Sequence, residues 1–226
     1  YNYYTICVRS NLQVLADLFY CNLDYLTTKP QYLITNQNFL AVFSKSEIII
    51  ILANGDLTLT TIQTYKVDSM GIGNKKPLNF KNNILFFDSS NKNIKLLAFD
   101  FNTQSYTTQD ISLYYNSYLE NIIDWERKED TNHIFLLKND NKILTIKFDL
   151  TNQVNALSIL LLNTELPISN IYNISRDNSI QDIFIDLKLN NELFTLKYTY
   201  NILPSKTLDS FKKFDKSEFE TRNEYN

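Results

Sequence analysis

Apolar residues in this chain come in short runs separated by polar turns, and the arrangement repeats. Ile84 to Asn102 reads ILFFDSSNKNIKLLAFDFN, Ile134 to Asn152 reads IFLLKNDNKILTIKFDLTN, and Ile183 to Asn201 reads IFIDLKLNNELFTLKYTYN. Each copy is an apolar run, a polar turn and a second apolar run, and successive copies start about 50 residues apart. A weaker fourth copy, Phe39 to Gly55 (FLAVFSKSEIIIILANG), precedes the first by about 45 residues. Within a copy the second run alternates, with Ile143, Thr145 and Lys147 set against Leu144, Ile146 and Phe148. That period of two is the mark of a strand with one buried face. The turns NKN, NDNK and LNNE carry Asn where glycine is usual. Asn tolerates positive φ better than other residues with a Cβ, so these turns can still close hairpins.

Further strand candidates flank each hairpin. Using the copy at Ile134, one unit reads Ile122 to Arg127, His133 to Lys138, Lys142 to Leu150 and Val154 to Leu162. Four antiparallel strands in a repeat of this size match a β-propeller blade, which buries both faces against its neighbours. The expected fold is therefore all-β, a β-propeller-like array of about four four-stranded antiparallel blades, at 31–66, 77–113, 121–163 and 167–201. Nothing in Tyr1 to Pro30 resembles a fifth copy, which suggests part of a larger ring. The competing architecture is a meandering β-sandwich with evenly spaced hairpins. The chain divides into an N-terminal segment (1–30), the propeller-like domain (31–203) and a charged C-terminal tail (204–226). Leu12, Val14, Leu15, Leu18 and Phe19 fit a short amphipathic helix about as well as a strand pair. The tail, with its sparse apolar residues, reads as a partner-dependent or solvated terminus.

Composition narrows the function by exclusion. Among 226 residues there are 3 Gly and 1 His. That is too few for several phosphate-cradling loops, a His-rich metal site or a His relay. The net charge of -3 provides no field to draw the chain to a polyanion, and arginine occurs only at Arg9, Arg127, Arg176 and Arg222. Cys7 and Cys21 lack a paired metal-ligand or redox spacing and read as buried thiols rather than a disulfide. No apolar run approaches the length of a membrane span, so no membrane partner is expected.

Candidate chemistry is thin. His133 opens a predicted strand and reads as structural. Asp124 with Glu126, or Asp100 with Asp149 at matching positions of two copies, could in principle serve as acid and base. Recurrence at strand ends instead suggests strand termination. Gly71-Ile72-Gly73-Asn74-Lys75-Lys76 lacks the spacing of a phosphate-binding loop and reads as an inter-blade connection. Asn173-Ile174-Ser175 is a glycosylation sequon without a secretory context. The aromatic and lysine pairs at Lys197 to Tyr200 and at Phe211 to Phe214 could stack on bases, but in an all-β chain they read as core and rim. No catalytic, cofactor-binding or metal-binding residue is assigned, no cofactor is expected, and the chain reads as a non-enzyme.

From Gly71 to Tyr200 the order of features resembles the propeller region of tail nozzle (tail hub, tail tubular B-like) proteins of short-tailed bacteriophages. The resemblance is carried by Ser69-Met70-Gly71, Pro77 and Leu85-Phe86, then by Phe99-Asp100-Phe101, Tyr106 to Ser112 and Ile122-Ile123-Asp124-Trp125. It continues through Phe135-Leu136-Leu137, Asp140, Leu144 to Phe148, and Asp182 to Ile185 with Phe194 to Tyr198. Asn stands in turns where that family has Gly, and Leu136 stands where it has Trp. The resemblance implies a virion structural protein, a homo-oligomer of six copies around a DNA ejection channel. Its neighbours would be other tail and portal-adaptor proteins, with DNA passing without sequence-specific contact. It transfers no site residue. The alternative is an intracellular, cytoplasmic β-propeller scaffold that holds protein partners.

Overall fold

A computed structural model describes residues 5–8, 19–22, 26–36, 38–53, 62–128, 130–149, 154–160, 168–177, 182–189, 192–198 and 211–213. The chain is all-β, and its four-stranded antiparallel sheets are propeller-like blades. The strands are β1 (Thr5–Val8), β2 (Phe19–Asn22), β3 (Pro30–Thr35), β4 (Leu40–Ser44), β5 (Ile48–Ala53), β6 (Ile62–Asp68), β7 (Leu78–Phe80), β8 (Asn83–Phe87) and β9 (Ile94–Asp100). They continue with β10 (Ser105–Asp110), β11 (Ile122–Lys128), β12 (His133–Lys138), β13 (Ile143–Asp149), β14 (Val154–Leu160), β15 (Ile168–Arg176), β16 (Ile183–Leu189), β17 (Glu192–Tyr198) and β18 (Phe211–Lys213). Consecutive strands pair antiparallel into four meanders, β3 to β6, β7 to β10, β11 to β14 and β15 to β18. The last meander is completed by β18, which lies beyond Pro204 in the segment expected to be a tail. β1 and β2 form a separate pair in which Cys7 stands opposite Tyr20 and Cys21 opposite Ile6, so the cysteines are not cross-strand partners. The helix or strand expectation for Leu12 to Leu18 falls outside the described residues.

The chain forms two compact units, 1–119 and 120–226. In the first, the β3–β6 and β7–β10 sheets pack together. Phe43 and Phe86 meet at 5.3 Å between ring centroids, surrounded by Ile48, Ile50, Ile84 and Leu97. The opposite face of the β3–β6 sheet buries Val42, Ile49 and Ile51 with Leu26. That is why Ile48 to Ile51 is an unbroken apolar run: both faces of β5 are covered, so neither needs polar residues. Full burial of each such side chain contributes about 1.5–3 kcal/mol. Like strands of the two sheets lie together. Asn79 Nδ2 on β7 donates to the Thr35 carbonyl on β3 (3.1 Å), and Thr108 Oγ1 on β10 donates to Asp68 Oδ2 on β6 (2.7 Å).

The second unit repeats the scheme. Phe135, Leu137 and Ile143 of one sheet pack on Ile171, Ile174, Ile185, Leu187 and Tyr198 of the other. The Phe135 and Tyr198 rings meet edge to face at 4.9 Å. β11 and β15, the first strands of their sheets, lie side by side, joined by the Ile174 N–H donating to Asp124 Oδ2 (3.3 Å). Both strands carry a bulge, at Ile122/Asp124 and at Ile168/Asn170, with a second in β15 at Ile171/Asn173. Bulges add local twist.

Asparagine does take the turn conformations expected of it. Asn91 and Asn141, in the NKN and NDNK turns, have φ of 57° and 62°. Asn190 and Asn191 of the LNNE turn lie outside the described residues.

Candidate interaction surface

The polar groups that could have served chemistry are engaged in closing turns and joining sheets. Asp124 accepts from the Ile174 N–H, and Glu126 approaches Arg176 Nε at 4.0 Å, so both carboxylates of β11 point to β15. Asp100 ends β9 and accepts the Asn102 N–H (2.9 Å), a strand-terminating turn. Its counterpart Asp149 ends β13. Asn173 of the sequon donates to Asp186 Oδ2 (3.2 Å) from within β15. His133 is half-buried where β12 begins, opposite Lys147 on β13 and Lys128 on β11. Burial pushes its imidazole below the usual value, and Lys147 adds to this against the opposing Thr131 backbone and Asp130 charge.

The 71–73 segment is the inter-blade connection anticipated from its spacing, and the geometry explains its glycines. Gly71 has φ of 64°, and a Cβ there would sit 2.3 Å from the Lys45 backbone. A Cβ on Gly73 would meet Asn91 Oδ1 at 2.2 Å and the Asp88 carbonyl at 2.6 Å. Between them the Ile72 N–H donates to the Ser44 carbonyl (2.8 Å), and the Gly73 N–H to the Phe87 carbonyl (2.9 Å). The strap thus threads between the β4–β5 and β8–β9 turns, leaving room only for glycine.

A buried carboxylate closes each of those two turns, and a third carboxylate links β6 to β9 and β10. Glu47 accepts from Ser44 Oγ (3.0 Å), Ser46 Oγ (2.6 Å) and Thr27 Oγ1. Asp88 accepts from Ser90 Oγ (2.6 Å) and Asn93 Nδ2 (2.7 Å). Asp68 takes Thr108 Oγ1, the Met70 N–H (2.7 Å) and Lys95 Nζ (3.0 Å). Burial raises all three carboxyls, yet the bonds they accept outweigh it and hold each below the usual carboxylate range. In the second unit Lys128, itself buried, reaches Asp130 (3.0 Å) and Asp182 (3.5 Å), and Asp182 also pairs with Lys197. No group of three or more His, Cys, Asp or Glu able to hold a metal occurs among the described residues.

Against this background a loop of the first unit carries several exposed apolar side chains. Residues 111–119 form a loop without a charged residue, ISLYYNSYL. Its path is fixed. Asp110 Oδ1 accepts both the N–H and the hydroxyl of Ser112 (2.8 Å each), and Ser112 Oγ accepts the Ile94 N–H (2.9 Å). Tyr115 is buried, with its hydroxyl donating to the Ile111 carbonyl (2.9 Å). Asn116 Nδ2 donates to Asn93 Oδ1 (3.2 Å), and a single 3-10 turn spans Asn116–Tyr118. The braced loop presents Tyr114 (91% exposed), Leu113 (63%) and Tyr118 (54%) to solvent. Rigid display of tyrosines with an adjacent leucine suits protein binding, since Tyr adds contact area at low entropic cost. In the sequence this loop is marked only by a dense, uncharged run of tyrosines, which reads as core until the fold shows which ones face outward.

No protein-family model matches the chain, and no curated protein matches it significantly.

Proposed function

We propose that this protein is a non-enzymatic structural component that works by docking onto other proteins, and that its setting is the virion tail of a short-tailed phage. There several copies would surround the channel through which DNA leaves the capsid. The observation that carries the docking role is the braced loop 111–119, with Leu113, Tyr114 and Tyr118 outward while the candidate acids and bases are engaged in turns and seams. The tail setting is supported by the resemblance from Gly71 to Tyr200. Mild net acidity also suits a channel wall, because a lining rich in Lys and Arg would retain DNA.

Mass spectrometry of purified particles tests the setting: the protein should be present in a fixed, multiple copy number, and its absence overturns the tail role. Co-purification with the other tail proteins tests the loop. Leu113→Ser with Tyr114→Ser should weaken assembly by about tenfold or more while leaving the fold intact, because both side chains are solvent-facing. Unchanged assembly by that double variant would remove the loop from the interface.

A further inference from the structure

Charge is segregated on the first unit. Five segments meet at one end of its two sheets: 26–29, the β4–β5 turn at 44–47, the strap at 69–76, the β8–β9 turn at 88–94 and the loop 111–119. Hydrogen bonds join them in succession. Thr28 Oγ1 shares one with Ser46 Oγ (2.8 Å), and the Ile72 N–H donates to the Ser44 carbonyl (2.8 Å). The Asn74 N–H donates to Asn91 Oδ1 (3.0 Å), and Asn116 Nδ2 to Asn93 Oδ1 (3.2 Å). These segments hold five lysines, Lys29, Lys45, Lys75, Lys76 and Lys92, and two carboxylates, Glu47 and Asp88. Four of the lysines are exposed and Lys75 is half-buried. Glu47 and Asp88 are 3% and 0% exposed and accept bonds from neighbouring side chains. Of the flanking acids, Asp68 is paired with Lys95 and Asp110 is bonded to Ser112. The charge that these segments show to solvent is therefore positive, on a chain whose net charge is -3.

The opposite end of the same sheets has no such surplus. There the β7–β8 and β9–β10 turns carry one lysine, Lys81, and one carboxylate, Asp100. The lysine end is also the one that displays Leu113, Tyr114 and Tyr118, and Met70 of the strap is exposed beside them in the same bonded set. Apolar anchors next to cations of a single sign suit a partner whose apolar side chains are flanked by carboxylates. Because the five segments are already bonded to one another, little ordering remains to be done on association.

We propose that this end of the first unit binds an acidic segment of a partner protein. Its carboxylates are set against Lys45, Lys76 and Lys92, and its apolar side chains against Leu113, Tyr114 and Tyr118. The inference rests on the docking role of the 111–119 loop and adds the chemistry of the occupant. Residue types favour a protein over a nucleic acid. The five segments contain no arginine, the side chain that grips phosphate bidentately. Leu113 and Met70 offer aliphatic surface, where a base would stack on a flat ring.

Fluorescence anisotropy of the full chain with labelled probes tests the proposal. The probes are a short peptide alternating Glu with Leu and Tyr, the same peptide with Gln for every Glu, and an oligothymidylate of matching length. The glutamate peptide should bind about tenfold or more tighter than either of the others, and its advantage over the glutamine peptide should shrink as salt rises. Lys45→Gln with Lys92→Gln should weaken the glutamate peptide by about tenfold, and Lys45→Arg with Lys92→Arg should retain it. Lys81→Gln, at the opposite end, should leave it unchanged. Hydrogen exchange in β4 and β8 confirms that the first unit of each variant is folded. No binding of the glutamate peptide, equal binding of the two peptides, tighter binding of the oligothymidylate, or indifference to the lysine pair overturns the proposal. Leu113→Ser with Tyr114→Ser separates it from the reading beneath it. If that variant weakens both peptides alike and the lysine variants change nothing, the loop still docks but its partner is not acidic. If only the lysine variants matter, the docking role of the loop falls and the proposal falls with it.

Discussion

The two units solve one problem in different ways. Each must hold one four-stranded sheet on the next, and each does so through an apolar layer plus polar links between like strands. In the first unit the decisive link is backbone: the 71–73 strap threads two turns, and its fit depends on the missing Cβ at Gly71 and Gly73. In the second unit the links are long charged side chains, with Lys128 on Asp182 and Arg176 beside Glu126. Backbone threading tolerates no added atom and is indifferent to salt. Charged links tolerate substitution but depend on protonation and, where exposed, on ionic strength. A protein with very few glycines uses two of them in one strap and joins its other pair of sheets by charge.

The largest contrast should come from Gly71→Ala. Positive φ and a backbone clash together place the cost at about 3 kcal/mol or more, confined to the first unit. Hydrogen exchange would show lost protection in β4, β5 and β8 while Trp125, the only tryptophan and a residue of β11, reports an intact second unit. Equal loss in both units would erase the distinction.

Acid should separate the units next. His133 has a folded-state value below its unfolded one, so the fold favours the neutral ring. Its contribution is complete above the unfolded value of about 6.5 and is lost as pH falls through it toward the folded value. Glu47, Asp68 and Asp88 are also lowered, but for carboxylates the stability is full above about 4 and is lost only as pH falls through their depressed values. Urea midpoints followed by Trp125 should therefore begin to decline near pH 6.5, before exchange protection in the first unit changes. His133→Gln should remove that early decline. A decline that survives the substitution assigns it to another group.

The smallest effect is expected at Asp140. Lys142 donates to it at 2.7 Å and lowers its carboxyl, yet both side chains are largely exposed. Asp140→Asn should shift the urea midpoint by the equivalent of about 0.5 kcal/mol or less, and added salt should cancel even that. A larger loss would mean that the turn depends on this ion pair and not on Asn141 at positive φ.

Much of the architecture could be read in advance because its signals are local. The hairpins at 84–102 and 134–152 announce themselves through alternation and a polar turn, and Asn91 and Asn141 adopt the left-handed backbone those turns demand. β18 could not be read, because three residues, Phe-Lys-Lys, have no period, and only pairing with β17 makes them a strand. The outward-facing side chains of the 111–119 loop were hidden for a related reason. Tyr114 and Tyr115 are adjacent and chemically identical, and only the hydrogen bond from the Tyr115 hydroxyl to Ile111 turns one inward and leaves the other outside.

The sequence by itself determined an all-β chain of repeated hairpins, the residues that close its turns, and the scarcity of groups fit for catalysis. Those properties follow from side-chain alternation and turn preference, which act over a few residues. The tertiary structure alone decided that Asp68 meets Lys95, that Lys45 leaves no space at residue 71, and that Asp124 of β11 meets the backbone of β15. Such contacts join residues far apart along the chain, and their geometry exists only once the sheets have stacked.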